Sequence, residues 1–143
     1  MVSEEGRRWA ERIRKVDPKA KARWGKMTVA QMLVHCRLQL EATWGGEPKP
    51  VGFFGRTFMK WMVLKGPWPK GKTPTYPPWD MAANGLVPGN FAADVEALAS
   101  AVERFFAGGY ARIASPVVGP LGEEEWLGLQ RRHLDHHLSQ FGA

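Results

Sequence analysis

Apolar residues recur three and four positions apart along much of this 143-residue chain, a spacing that places them on one face of an α-helix. The pattern predicts four main helices and one shorter amphipathic helix, at 4–16, 28–44, 53–65, 91–107 and 123–139. No stretch alternates convincingly enough to predict a sheet. Helices that each carry one apolar stripe pack most simply as a bundle. We therefore expect an all-α fold, a four-helix bundle with a short extra helix, in a single domain over residues 1–143.

Capping residues mark the ends of these helices. Ser3 and Asn90 precede two of them, and such side chains accept hydrogen bonds from the free backbone amides of the first turn. Thr28 and Gln31 have the spacing of a capping box, in which each side chain bonds the backbone amide of the other residue. The second helix should end near Trp44, because two glycines follow it.

A proline-rich loop is predicted at residues 66–88, since the six prolines there exclude a regular helix. Trp68, Tyr76 and Trp79 lie among the prolines, a composition that is not typical of a disordered linker. Two interpretations stay open. The segment is either a lid or binding loop, or a loop held over the core by its aromatic side chains.

The charge is unevenly distributed. The formal net charge is +6 at pH 7, and residues 1–26 carry nine Lys and Arg against four Asp and Glu. A basic end can attract nucleic acid or anionic lipid. Because the acids are interspersed and no nucleic-acid-binding motif accompanies the charge, we interpret the region as a solvated helix face plus a basic turn. Nucleic acid is not an expected partner.

The single cysteine, Cys36, excludes an intrachain disulfide and suits a reducing compartment. Residues 1–15 are charged and lack the apolar segment of a signal peptide. No run of about 18 apolar residues is present that could cross a membrane. A cytoplasmic protein with no membrane partner is expected.

Histidines provide the candidate chemistry. His133 and His137 are four residues apart on the last predicted helix, so both imidazoles share a face and can bind one metal ion. His35, on the second helix, is the one histidine outside that helix and the candidate third ligand. Three histidines would leave a coordination position open. The alternative is that these histidines are surface or hydrogen-bonded residues.

Other side chains near these histidines are candidates for a pocket. Gln31 and Gln39 flank His35 at four residues on either side, and Gln140 continues the face of His137. His136 could replace His137 as the partner of His133, but its angle around the helix favours a place at the rim. Cys36, which follows His35 in the sequence, faces the predicted core, where an inert buried thiol is favoured over a metal ligand.

Two segments of the chain carry longer motifs, Trp24-Gly25-Lys26-Met27-Thr28-Val29-Ala30-Gln31-Met32-Leu33-Val34-His35-Cys36 and His133-Leu134-Asp135-His136-His137-Leu138-Ser139-Gln140-Phe141-Gly142. They resemble the two ends of an uncharacterised branch of the DinB/YfiT-like superfamily. Lys72-Thr73-Pro74-Thr75 is similar to the middle loop of that family, and Gly119-Pro120-Leu121-Gly122-Glu123-Glu124-Glu125-Trp126 to the lead-in to its last helix.

This resemblance implies an up-and-down four-helix bundle that is often a homodimer. It also implies a metal held by one histidine of the second helix and two of the last, which are His35, His133 and His137 here. Characterised relatives in that superfamily include transferases and isomerases that use low-molecular-weight thiols, and many members have no known activity.

The chain departs from that pattern in two places. Gly122 precedes the last helix where relatives often have Ser or Thr, so a weaker cap is expected. Ser115-Pro116-Val117-Val118-Gly119 stands where relatives often have a His-Pro-Phe-Phe-Gly-like stretch. Any role of that histidine is absent.

A divalent metal on three neutral histidines keeps its charge and lowers the pKa of a bound water or thiol. The leading hypothesis is a metal-dependent enzyme acting on a small molecule, a thiol-dependent transferase with zinc or nickel and a low-molecular-weight thiol. A hydrolase is less favoured, because Asp135 points about 160° away from His133 and no other carboxylate lies on the ligand faces. The other alternative is a non-catalytic bundle that binds a metal or a small ligand.

Overall fold

The computed structural model of the chain describes residues 3–41, 52–66, 68, 88–108 and 121–143. Within these residues the regular elements are all helical and none is a strand. The predicted all-α class is confirmed for this part of the chain. The helices are α1 at Glu4–Arg14, α2 at Val29–Glu41, a π-helical turn at Gly55–Met59 that leads into α3 at Lys60–Leu64, α4 at Phe91–Ala107 and α5 at Glu123–Gln140.

The predicted caps are present. The side chain of Ser3 accepts a hydrogen bond from the Gly6 amide at 3.0 Å, and that of Asn90 accepts one from the Ala93 amide at 3.0 Å. At the start of α2, the Thr28 amide donates to the Gln31 side chain at 3.0 Å. The Gln31 amide in turn donates to the Thr28 hydroxyl at 3.1 Å.

Two helix predictions need correction. The first helix ends at Arg14 rather than at residue 16, because the Lys15 and Val16 amides bond carbonyls only three residues back and tighten the chain ahead of Asp17-Pro18. The predicted regular helix at 53–65 contains the π-helical turn. The predicted end of α2 at Trp44 and most of the proline-rich segment 66–88 lie outside the described residues.

The weak cap predicted at Gly122 has a partial substitute. Glycine offers no side-chain acceptor to the first turn of α5, and the Glu125 carboxylate accepts a hydrogen bond from the Gly122 amide at 3.0 Å. That bond, together with an ion pair to Lys60, holds the pKa of Glu125 below its ordinary value. The acidic start of α5 also suits the positive end of the helix dipole.

The apolar core lies mainly where α4 packs against α1 and α2. The α4 stripe predicted from the sequence is buried at Val95, Leu98, Val102 and Phe105. Burial of apolar side chains of this size contributes roughly 1.5–3 kcal/mol each to folding. This part of the molecule therefore holds the helices together.

Hydrogen bonds between the segment before α2 and the end of α5 fix the relative direction of these two helices. The Arg23 amide donates to the Gln140 carbonyl at 2.8 Å, and the Gln140 side-chain amide donates to the Trp24 carbonyl at 2.7 Å. The segment just before α2 thus lies at the end of α5. Because α2 then packs along α5, the two helices run in opposite directions.

Helix α3 lies along the outside of α5. The Lys60 ammonium is 3.1 Å from the Glu125 carboxylate, and the Arg132 guanidinium donates to the carbonyls of Val63 and Gly66. The π-helical turn and the start of α3 carry exposed aromatic rings, in which Phe58 stacks on Phe54 and contacts the tilted ring of Trp61. None of the described helices combines the length and the apolar character needed to cross a membrane.

Candidate metal centre

Three histidines meet between α2 and α5. His35 is 3% exposed, and His133 and His137 are each 9% exposed. The ring centroid of His35 lies 5.1 Å from that of His133 and 4.7 Å from that of His137. The centroids of His133 and His137 are 4.6 Å apart. Each residue offers one nitrogen to a group whose atoms all lie within 4.8 Å of one another.

This arrangement follows from helix geometry. His133 and His137 are one turn apart on α5 and point to the same side. The antiparallel neighbour α2 brings His35 opposite them, with 3.1 Å between the Nε2 atoms of His35 and His133. Nitrogens that bind one zinc ion tetrahedrally at about 2.0–2.1 Å are about 3.3 Å apart. The separation of the His35 and His133 nitrogens is close to this value, and the three side chains could together hold a metal ion.

A hydrogen-bonded chain orients His137. Its Nδ1 lies 2.9 Å from the Gln140 side-chain oxygen, and the same amide donates to the Trp24 carbonyl at 2.7 Å. Because the amide nitrogen of Gln140 is used on Trp24, its oxygen must face the imidazole, and Nδ1 is the protonated nitrogen. The other ring nitrogen, Nε2, then keeps its lone pair for a metal.

Burial keeps the histidines of α5 neutral. The pKa of His137 is lowered to about 3, first by burial and then by the neighbouring His35, against a smaller opposing effect of the Gln140 hydrogen bond. The pKa of His133 is lowered well below its ordinary value by burial and by the adjacent histidines. Both imidazoles are unprotonated at neutral pH, the state that metal binding requires.

His136 stands beside this cluster at its rim. It is partly exposed, and its ring lies 5.4 Å from the rings of Trp24 and Trp68 and 5.1 Å from that of His137. The nitrogen group that could hold a metal contains His137 and not His136.

The predicted pocket glutamines differ in their surroundings. Gln140 is buried against His137, as described above. Gln39 is 5% exposed, and its side-chain oxygen has no hydrogen-bond partner among the described residues. Gln31 uses its side-chain oxygen in the cap of α2. The Cys36 thiol is fully buried and its pKa is raised by burial, so it is protonated at neutral pH and lies outside the histidine group.

Two tryptophans contribute to this region. Trp68, one of the aromatic residues of the proline-rich loop, contacts the rings of His133 and His136, its indole nitrogen donates to the Val63 carbonyl at 3.0 Å, and the Arg132 guanidinium covers its ring at 5.1 Å. The backbone carbonyl of Trp24 was not predicted from the sequence. A signal for it exists in Gly25, whose φ of 76° favours glycine and where an added Cβ would lie 3.0 Å from the side-chain nitrogen of Gln140.

The family assignment follows from the comparison with known proteins. A family model for a protein family of unknown function, DUF1569, matches residues 4–143. The chain belongs to the DUF1569 family. No curated protein and no solved structure matches it. In this DUF1569 protein, the matched residues include all three histidines of the cluster, and the family description carries no activity for them.

Chemically, the DUF1569 site offers three buried imidazoles and no charged ligand. No Asp, Glu or Cys among the described residues belongs to the histidine group. Neutral ligands leave the full charge of a divalent cation in place, so a bound water or thiol would be acidified strongly. The site therefore suits reactions that need an activated nucleophile.

Proposed function

We propose that this protein is a divalent-metal-dependent enzyme in which His35, His133 and His137 hold the metal. The observation that carries the proposal is the cluster itself, three buried histidines with their nitrogens within 4.8 Å of one another. Zinc and nickel are the proposed metals, since both accept imidazole ligands.

The surroundings support a catalytic rather than a closed structural site. Structural zinc sites are closed by four protein ligands, whereas catalytic sites have three and keep one position for water or substrate. Among the described residues, no fourth His, Cys, Asp or Glu joins the group. Gln140 is engaged by His137 and Trp24, and the Cys36 thiol stays protonated.

Thiol transfer to a small molecule is the reaction we propose. A bound divalent metal would supply the acidity that turns a thiol into a thiolate near neutral pH. Because Cys36 is buried and protonated, the thiol must come from outside the chain, as a low-molecular-weight thiol. Trp68 and His136 would line the approach. Metal-dependent hydrolysis is less supported, because Asp135 is exposed and its carboxylate pairs with Arg12 at 2.9 Å.

The finer architecture is part of the same proposal. We infer an up-and-down four-helix bundle of α1, α2, α4 and α5, which the antiparallel course of α2 and α5 supports. Membership of the DinB/YfiT-like superfamily and a homodimeric state rest on the resemblance of the terminal motifs.

The first experiment measures the metal content of protein purified without an affinity tag or chelator. Wild type should contain about one equivalent of a divalent metal, and His35→Ala should contain almost none, because two remaining imidazoles bind too weakly. His136→Ala is the matched control and should keep its metal, since this ring lies beside the cluster and outside it. Wild type that is metal-free and takes up neither zinc nor nickel would refute the proposal.

Cobalt substitution separates an enzyme from a closed binding module. Addition of azide to the cobalt-loaded protein should change its visible spectrum, because an open coordination position admits the anion. An unchanged spectrum at saturating azide would favour the non-catalytic bundle instead.

A further inference from the structure

A buried glutamine lies one helical turn from the histidine cluster. The side chain of Gln130 on α5 is fully buried, and neither its oxygen nor its nitrogen has a hydrogen-bond partner among the described residues. Most buried polar groups in proteins are hydrogen-bonded, and each exception calls for an explanation. A side-chain amide unpaired at both ends is a strong exception, because it loses its hydrogen bonds to water on folding and regains none.

The position of Gln130 connects it to the site. It precedes His133 by three residues and His137 by seven, so it lies on the histidine face of α5, within about 60° of His133 and 20° of His137. It is one turn nearer to the start of α5 than the cluster. Trp126, a further turn in the same direction, is 3% exposed and has an indole nitrogen with no partner among the described residues.

Helix α2 adds a second amide on the same side. Gln39 follows His35 by one turn, and because α2 runs opposite to α5 this turn faces the early part of α5. Its side chain is 5% exposed and its oxygen has no partner among the described residues. Between the histidines and the start of α5 there are thus polar atoms without a hydrogen-bond partner among the described residues, in Gln39, Gln130 and Trp126.

The chemistry of these groups defines what they can bind. Together they offer N–H donors from Gln130 and Trp126, and carbonyl acceptors from Gln130 and Gln39. None of the three carries a charge. A carboxylate would meet two acceptor oxygens and an ammonium would meet two donors, whereas an uncharged carboxamide matches both kinds of group, as two amides do when they pair side by side.

We propose that Gln130, assisted by Gln39, binds an uncharged carboxamide-like group of the small molecule whose other end reaches the metal position. This inference rests on the proposed metal site and adds the chemical class of the substrate or thiol. Gln130 becomes the residue that sets specificity in the pocket. Sites built to hydrogen-bond a polar group reject analogues that lack it, because their own buried groups then stay unpaired.

The test uses two thiols of nearly equal shape on cobalt-loaded protein. 2-Mercaptoacetamide carries a carboxamide where 2-methylpropane-1-thiol carries an isopropyl group, and both present a thiolate to the metal. Absorbance of the thiolate-to-cobalt band gives each dissociation constant. Wild type should bind the amide thiol about tenfold or more tightly than the apolar thiol. Gln130→Leu should bind cobalt as before and lose that preference.

A matched control and a stability measurement exclude a merely structural role. Gln31→Leu makes the same chemical change on α2, where the amide serves the helix cap, and should keep the preference. Metal-free Gln130→Leu should melt at the same temperature as wild type or a few degrees higher, because the variant removes an unpaired buried amide. If this variant does not fold, Gln130→Met tests the same point with an unbranched side chain.

The outcomes distinguish the two proposals. Equal binding of the two thiols by cobalt-loaded wild type, as expected if the amides only hold water, overturns the carboxamide inference alone. Absent binding of both thiols overturns the inference and also contradicts the proposed thiol-dependent reaction. The carboxamide inference is also overturned if Gln130→Leu still prefers the amide thiol. A lowered melting temperature of this variant together with an unchanged preference would indicate a structural role and overturn it as well. Wild type that binds no cobalt overturns the proposed metal site, and the inference with it.

Discussion

Both helix pairs of this protein bury apolar side chains, but among the described residues only one pair also buries polar ones. The pair α1 and α4 buries alanine, isoleucine, valine, leucine and phenylalanine, and its charged groups stay at the edge, as in the ion pair of Arg14 with Glu96. The pair α2 and α5 contains every buried polar side chain of the described residues, namely His35, Gln39, Gln130, His133, His137 and Gln140.

The difference separates stability from the site. Apolar burial between α1 and α4 stabilises the fold, while unpaired polar groups between α2 and α5 reduce the net stability of the metal-free protein. Proteins commonly accept such a cost at functional sites. Variants in the two pairs should therefore change different measurements, namely the free energy of unfolding for α1 and α4 and the metal affinity for α2 and α5.

Truncation of the α4 core should have the largest effect. Leu98 is fully buried, and Leu98→Ala should lower the free energy of unfolding by about 2–5 kcal/mol while the folded protein keeps its metal content. Urea unfolding and metal analysis check both parts. Arg14→Ala, at the exposed edge of the same pair, is the control and should cost about 1 kcal/mol or less. A folded Leu98→Ala protein without metal would contradict the conclusion that the α4 core affects stability but not metal binding.

Acidification should destabilise the metal-free protein through the α5 histidines. His137 has its pKa lowered to about 3 and His133 well below normal, so between pH 6.5 and 5 the unfolded chain binds protons that the folded chain does not. Stability is complete above that window and falls as the pH drops, by about 1.4 kcal/mol per pH unit for each such histidine. Urea midpoints measured against pH should reveal this slope. His137→Leu should have a shallower slope, and an equal slope would contradict the assignment.

Loss of the Gln140 link should have the smallest effect. Gln140→Leu removes the hydrogen bond that fixes the His137 ring, and metal affinity should fall about 10- to 100-fold, as is typical for the partners that orient metal ligands. Competition with a chelator measures that affinity. Ser139→Ala changes the neighbouring side chain, whose hydroxyl contacts Arg12, and should leave metal affinity unchanged. If both variants bind metal like wild type, Gln140 does not position the ring.

Local sequence signals predicted much of the fold. Apolar spacing and caps located α4 and the start of α2, because these features depend on residues within one turn of each other. The π-helical turn before α3 carried no such signal. The early end of α1 was also missed, although Asp17-Pro18 limited it, because a tight turn at Lys15 and Val16 leaves little trace in the pattern.

The candidate site was predictable only where its geometry is local or its residue type is rare. His133 and His137 share a face by spacing alone, and His35 was the one histidine outside their helix. Gln130 lies on the same face but escaped notice, because a glutamine on a helix usually faces water and only the burial identifies it. The role of the Trp24 carbonyl could not be predicted, because every residue has a backbone carbonyl and the sequence does not distinguish one from another.

Because Gln140 is hydrogen-bonded to the segment before α2, a backbone amide in that segment can report on the order of the site. The Arg23 amide donates to the Gln140 carbonyl, and the side chain of the same glutamine holds both His137 and the Trp24 carbonyl. Hydrogen exchange at the Arg23 amide therefore reports how often the end of α5 opens, since exchange requires that bond to break. A backbone proton more than a hundred positions away in sequence can thus follow the ordering of His137 without any probe placed on the site.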